Sequence, residues 1–449
     1  MLTPDMARTR AHDIVSRARA AGADAADAVL GASASVDVSV RLGALEDVGR
    51  SEEEELGLRV FVGRRSASVS TSDLSSDAMN VLVERAVAMA REAPEDQWAG
   101  LAPEERLLKG NIPDLDLHDS DEPSPAALKE AALAAENAAR AVPGVTNSEG
   151  GGASAHRTIW ALATSHGFAD AYQTTSHGIQ ASVLAGGGAD AMVRDYAYHS
   201  ARHRAHLDAP ETIGRKAGQR AVARVNPVQP DSGPMPVIFD PRVGSSLVGH
   251  LVGAIAGAAI ARNTSFLLGK LGERIFADGI TITDDPHRPQ GLRSRPFDGE
   301  GLPVSPIDIV RDGVLQTWLL ESASARQLGL EPTGHAVRSG SGAPGVGTSN
   351  TYLAPGAVSR DDLFAGIVRG VYVTELIGMG VNGVTGDYSR GAAGFLIEDG
   401  AITAPVDEFT IAGNLKDMFL NLTAANDLEF RYATNVPTLR IDGMTVAGG

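Results

Sequence analysis

The stretch VGSSLVGHLVGAIAGAAIA, residues 243–261, decides how the rest of the chain is read. It runs nineteen residues without a formal charge and holds four glycines, of which Gly249, Gly253 and Gly257 recur at every fourth position. In a helix that spacing lays them along one stripe. Each glycine costs about 1 kcal/mol against alanine in a helix interior, so the stripe predicts the close approach of another backbone. A membrane span needs about 20 mainly apolar residues with interfacial aromatic and basic flanks. His250, two serines and the glycines, without such flanks, argue against one. The expectation is a buried helix, opened by Asp240-Pro241 and ended by Arg262-Asn263-Thr264.

Downstream, Asp-Gly pairs flanked by apolar alternation stand at Asp312-Gly313, Asp399-Gly400 and Asp442-Gly443. Each predicts a hairpin, because a type I′ turn needs positive φ at both central residues. Helices are sparse here, at 322–328 and at 361–369 behind a Ser359/Asp362 capping box. This half therefore reads as mainly antiparallel β, barrel-like, with the glycine-striped helix against it.

Upstream, strands and helices come in separate runs, the mark of an α+β layered arrangement. Helical patterns cover an opening segment capped by Thr3-Pro4, then 76–92, 125–142 and 210–224. Period-two alternation marks strands near 35–41, 56–63, 158–163, 178–184 and 192–199. Glu52 to Glu55 reads as a solvated turn, and the proline-bearing connection 93–123 as a mobile loop. Three prolines and a glycine within 226–234 place the domain boundary, giving an N-terminal α+β domain, 1–226, and a C-terminal mainly-β domain, 227–449.

The chain has 449 residues, 43% of them hydrophobic, a formal charge of −17 and no cysteine. The charge excludes a nucleic-acid backbone as a direct partner. The absence of cysteine excludes disulfides and suits the cytoplasm. Asp5 and Asp13 interrupt what would otherwise read as a basic leader.

Three constellations invite chemistry and favour plainer readings. His199, His203 and His206 begin at metal-ligand spacing but sit at a strand end, where a solvated loop is the expectation. Gly340-Ser341-Gly342-Ala343-Pro344-Gly345 matches a dinucleotide fingerprint in letters, yet Pro344 removes a donor and a strand, not a helix, follows. Around Ser389 the nucleophile-elbow glycine is replaced by Asp387, so 386–391 reads as a polar turn that shapes the domain or a partner interface.

The central stretch, with RNTSFLLGKLGERIFADGITITDDP (262–286), RDGVLQTWLLESASARQLGL (311–330), TELIGMGVNGVTGDYSRGAAGF (374–395) and FTIAGNLKDMFLN (409–421), resembles the TldD/PmbA family of peptide-processing proteins. VRDYAYHSAR (193–202) matches more loosely. In one branch of that family the helix bears H-E-x-x-x-H, which binds zinc, with a cysteine as a further ligand. Here an ungapped alignment puts Val248 and Gly253 at the histidine positions and Gly249 at the glutamate position, with His250 one place off.

The chain therefore resembles the PmbA (TldE)-like branch. That resemblance implies a metal-free partner subunit of a zinc metallopeptidase, with no catalytic or metal-binding residue of its own. Zinc is expected in a TldD-like homologue, and unfolded or small peptides are the expected substrates, in peptide maturation or antitoxin degradation. It also implies a heterodimer, with a homodimer open in isolation, a cytoplasmic location and no membrane partner. Substrate or partner contacts are expected at Asn350, Thr351 and Tyr352 and at Asp387, Tyr388, Ser389 and Arg390. The rival reading is a non-enzymatic, gyrase-modulator-like regulator that binds a protein partner.

Overall fold

A computed structural model describes residues 2–187, 192–338 and 340–448. The first half is one six-stranded antiparallel sheet. β1 (Ala25–Arg41), β2 (Ala44–Val62), β3 (Arg65–Thr71), β4 (Val145–Thr164), β5 (Ala169–Ala185) and β6 (Val193–Ala201) lie in the order β3-β2-β1-β4-β5-β6. These strands run far longer than the alternating cores that announce them. Glu52 to Glu55 are not a turn: they continue β2, whose exposed outer half pairs with β1 beyond the end of β3.

Four helices cover one face, as period-two burial requires. Ala26, Ala28 and Leu30 of β1 point into α1 (Pro4–Ala20) and α2 (Ser76–Glu92), while Val38 and Val40 point into α3 (Pro125–Arg140) and α4 (Pro210–Ala223). Thr3, Ser75 and Ser124 cap the first three with side-chain oxygens. On the other face Val29 and Leu162 meet Phe297 of the second half.

The connection 93–123, expected to be mobile, is tied down as a strap. Leu101, Leu107, Leu115 and Leu117 are buried. The Arg326 guanidinium donates to the carbonyls of Trp98 (2.8 Å), Gly100 (3.1 Å) and Leu101 (3.0 Å). A proline-rich sequence removes regular structure without removing tertiary contacts.

In the second half β7 (Gly233–Phe239) is followed by α5 (Pro241–Ala254) and α6 (Gly257–Ala261). Next come β8 (Ile282–Asp285), β9 (Ile307–Arg311), β10 (Val314–Leu315), α7 (Ser322–Leu328), β11 (Ala336–Val337), β12 (Gly345–Val346) and β13 (Asn350–Leu353). The chain ends with α8 (Arg360–Phe364), β14 (Arg369–Ile377), β15 (Asp387–Glu398), β16 (Ala401–Asn414), α9 (Leu415–Leu420), β17 (Leu422–Ala424), β18 (Thr434–Asn435) and β19 (Leu439–Ala447). Strands β16-β15-β14-β7-β19 are bonded in that order, and β19 returns to β16, closing a five-stranded barrel. A second sheet, β10-β9-β8-β13-β18, lies beside it.

Two of the three Asp-Gly pairs make the expected turns. Asp312 and Asp399 take φ of 47° and their glycines 77° and 80°, joining β9 to β10 and β15 to β16. Asp442-Gly443 does not. It lies inside β19, where the register against β7 slips between Ile441 and Met444, so the positive-φ glycine serves a bulge.

The 243–261 stretch is also not one helix. It breaks at Ile255 and Ala256, where the main chain bridges to Leu319: Gly257 N–H donates to Leu319 O (2.7 Å) and Leu319 N–H to Ile255 O (3.0 Å). Among the described residues, no helix is long and apolar enough to cross a membrane.

Candidate functional site

Asp240 and Pro241 start α5 as their types require: the Asp240 carboxylate accepts from Arg242 N–H (2.9 Å), and proline fills the first helical position. Gly244, Leu247, Val248, Leu251 and Ala254 form the buried side of α5. The opposite side carries Gly249 and Gly253, both exposed. A Cβ at either would meet no atom within 4 Å. The expected backbone approach is therefore absent there. It occurs at Gly257, whose Cβ would lie 3.1 Å from Leu319 O. Val248, meanwhile, faces the core at 2% exposure, so the three aligned positions do not share one surface.

β15 lies beside this helix and brings Tyr388 edge-on to His250, ring centroids 5.9 Å apart. Burial, then the nearby Arg390 charge, holds the His250 imidazole below its ordinary pKa, so the ring is neutral near pH 7. Burial pushes the Tyr388 phenol up, so it stays a donor. The buried Nε2 of His250 and the hydroxyl of Tyr388 have no hydrogen-bond partner, and the Thr374 hydroxyl at a β14 bulge has none either. A buried polar atom without a partner costs about 1–3 kcal/mol, so each of the three is an unmet hydrogen-bonding group.

A cavity of about 330 Å³ opens between Ser246, Thr374, Arg390 and a charged seam. In the seam Asp195 of β6 accepts from Arg242 (2.9 Å) and lies 3.4 Å from Arg224, which reaches Glu375 of β14 at 2.5 Å. Asp195 and Arg224 belong to the first half, Arg242 and Glu375 to the second, so the cavity sits where the halves meet. Burial alone would lower Arg242; the Asp195 and Asp240 carboxylates hold it above its usual range.

Of the residues named from sequence, Arg390 lines this cavity, while Tyr388 is buried in the barrel core against His250. Asp387 and Ser389 are exposed on the same strand. Asp387 accepts from Thr385 (2.6 Å) and Asn414 (3.0 Å), and Ser389 N–H donates to Gly380 O (2.7 Å). Asn350 and Thr351 are buried elsewhere. Asn350 is satisfied by Ser294, Asp285 O and Arg293 N–H, and Thr351 by Asp284 (2.9 Å). Tyr352 stands edge-on to Phe430 at 5.2 Å. Thr374, Glu375 and Asp195 lie in stretches that carry the family resemblance, but they and Arg242 were not singled out, because distant segments bring them together and each is an ordinary residue alone.

The other constellations are absorbed by the fold. His203 pairs with Asp116 (3.0 Å), and His199 Nδ1 accepts from Asp208 N–H (3.0 Å). The 340–345 loop lies on the first sheet, where a Cβ at Gly57 would meet Ser341 N at 2.6 Å.

A zinc ion does not fit this chain's donors. The aligned positions offer a buried aliphatic group and two hydrogens, and the chain lacks cysteine. Among the described residues no three His, Asp or Glu side chains are placed to share an ion.

Comparison with known proteins gives one pattern. Profiles of the PmbA/TldA metallopeptidase match in three pieces: domain 1 over residues 26–90, the central domain over 118–225 and the C-terminal domain over 232–448. Metalloprotease PmbA of Escherichia coli O157:H7 is 41% identical over 427 residues, 95% of this chain and 92% of that protein. A candidate modulator of DNA gyrase from Bacteroides thetaiotaomicron superposes with a TM-score of 0.92 at 28% identity, covering 100% of both chains. TldE from Thermococcus kodakarensis shares the fold, with a TM-score of 0.87 at 22% identity over 97% of this chain and 99% of that one.

Proposed function

Because the chain belongs to the PmbA/TldD metallopeptidase family, we propose that it is the metal-free subunit of a two-component zinc peptidase acting in the cytoplasm on unfolded or small peptides. The observation that carries this is the bare face of α5. Where a zinc-binding relative would project ligands, this chain projects hydrogens from Gly249 and Gly253 toward open space. Their helix-propensity cost is not repaid by packing inside the chain. Zinc and the water it activates belong to a TldD-like partner bearing H-E-x-x-x-H.

This chain's part is to hold the peptide. The exposed face of α5 at Gly249 and Gly253 and the cavity beside Thr374 and Arg390 leave room for an extended main chain. The alternative is a regulator that binds a protein partner without proteolysis, a reading favoured by the gyrase-modulator name of one structural relative.

The test is zinc content and cleavage of an unstructured peptide by the chain alone, by the homologue alone and by the mixture. Cleavage that needs the mixture, with zinc following the homologue, supports the proposal. Zinc binding and cleavage by this chain alone overturn it, and no cleavage in any arm favours the regulator.

A further inference from the structure

Beside the charged seam lies a second cavity of about 340 Å³, where α4, the start of α5, α8 and residues 427–438 converge. The chain as a whole is strongly acidic, yet five cations line this one cavity: Lys216, Arg220, Arg242, Arg360 and Arg431. Two of them are spoken for. Arg431 pairs with Asp208, and Arg242 with Asp195.

The remaining three form no ion pair with a carboxylate among the described residues. Arg220 donates only to a carbonyl, Tyr196 O at 3.1 Å. Arg360 lies over the rings of Phe364 (5.0 Å) and Tyr372 (5.4 Å). Lys216, exposed at the rim, has no hydrogen bond or ion pair among the described residues.

Three carboxylates, Asp240, Asp427 and Glu429, line the same cavity, and among the described residues none forms an ion pair with these three cations. Asp240 caps α5 and accepts from the Tyr372 hydroxyl (2.5 Å). Asp427 is held by the main-chain N–H (2.8 Å) and hydroxyl (2.7 Å) of Thr438. Glu429 is exposed and forms no ion pair within reach. Burial and then Arg220 pull Lys216 below its ordinary pKa, and burial and then Arg242 do the same to Arg220. Guanidinium forks that have no carboxylate partner match the two-oxygen edge of a carboxylate or phosphoryl group.

We propose that this cavity is a binding site for an oxyanion, a carboxylate or a phosphoryl group, held by Lys216, Arg220 and Arg360. The two sources share the recognition chemistry: the free C-terminus of a peptide, or a phosphate. The site stands apart from the peptidase reading, since phosphate binding needs neither a partner subunit nor cleavage. If the source is a peptide C-terminus, the site deepens that reading by fixing one end of the substrate next to the seam.

Titration calorimetry of the full chain with inorganic phosphate, and anisotropy of one labelled peptide as free acid and as C-terminal amide, test the proposal. Saturable binding of phosphate or of the acid peptide is expected, weakened at least about tenfold by the Lys216→Gln/Arg220→Gln pair, since a charged hydrogen bond contributes at least that factor. Loss of binding on amidation identifies the carboxylate source; phosphate binding without discrimination between the peptides identifies the phosphoryl source. Arg8→Gln, on the exposed face of α1, serves as control and leaves binding unchanged. Arg360→Gln repeats the test if the double variant fails to fold. Absence of saturable binding by every probe overturns the site, as does undiminished binding by the variants.

Discussion

Two helices in this molecule carry glycines four residues apart, and they use them in opposite ways. In α4, Gly214 and Gly218 let α3 come close: a Cβ at Gly214 would lie 2.0 Å from Ala135 O, and one at Gly218 2.7 Å from Ala139 O. In α5, the same spacing at Gly249 and Gly253 faces nothing. The motif is identical in sequence, and its meaning is set by what lies opposite. Glycine against backbone is packing. Glycine against open space, at a propensity cost, points to an approach made by another molecule.

The largest effect expected from this contrast is at Gly214. Gly214→Ala must push α3 from α4 and should cost about 3 kcal/mol, as severe overpacking does. Urea unfolding would show it, and an unchanged midpoint would break the account of α4.

A second effect concerns the packed seam between the halves. Burial, then the adjacent Asp298, pushes Glu300 up to about 7 while it accepts from Ser322. The folded chain thus keeps a proton that the unfolded chain has already released. Stability from this group is present at low pH and is lost as pH rises from the ordinary carboxylate range toward 7. Glu300→Gln keeps an acceptor without the charge. Its Tm should fall less than the parent's between about pH 5 and about pH 8, with the difference worth on the order of 2 kcal/mol. Parallel profiles would remove Glu300 as the cause.

At Gly257 the obstacles are mixed, Ser324 Cβ at 2.7 Å and the more yielding Leu320 Cδ2 at 2.9 Å. Gly257→Ala should cost about 1–2 kcal/mol.

Smallest, and opposite in sign, are Gly249→Ala and Gly253→Ala. Each should raise stability by up to about 1 kcal/mol, because only helix propensity changes. Leucine at both positions should leave the chain folded by circular dichroism yet abolish peptide cleavage by the mixture with the homologue. Retained cleavage would mean that the bare face does not meet substrate.

Much of the fold was legible in particular residues. The caps at Thr3 and Ser124 place helix starts, alternation places strand centres, and Asp312-Gly313 and Asp399-Gly400 fix two hairpins. These signals are local: each depends on a few neighbouring side chains and on steric rules for φ. The same rules failed at Asp442-Gly443, where pairing with β7 turned a hairpin signal into a bulge, and at Glu52 to Glu55, where β1 holds a charged run in the sheet. Within the candidate site, Tyr388 and Arg390 came from a stretch that resemblance had marked. Asn350 and Thr351 came the same way, and the structure buries them, as it buries Tyr388.

By itself, then, the sequence determined the α+β and β-barrel halves and the family, because composition and local pattern carry those facts. The tertiary structure alone decided that Gly249 and Gly253 face open space, that the 93–123 strap is anchored by Arg326, and that His250, Tyr388 and Thr374 lack partners. Each of these is a statement about what stands, or does not stand, opposite a residue, and neighbours far apart in the chain become opposite only once it has folded.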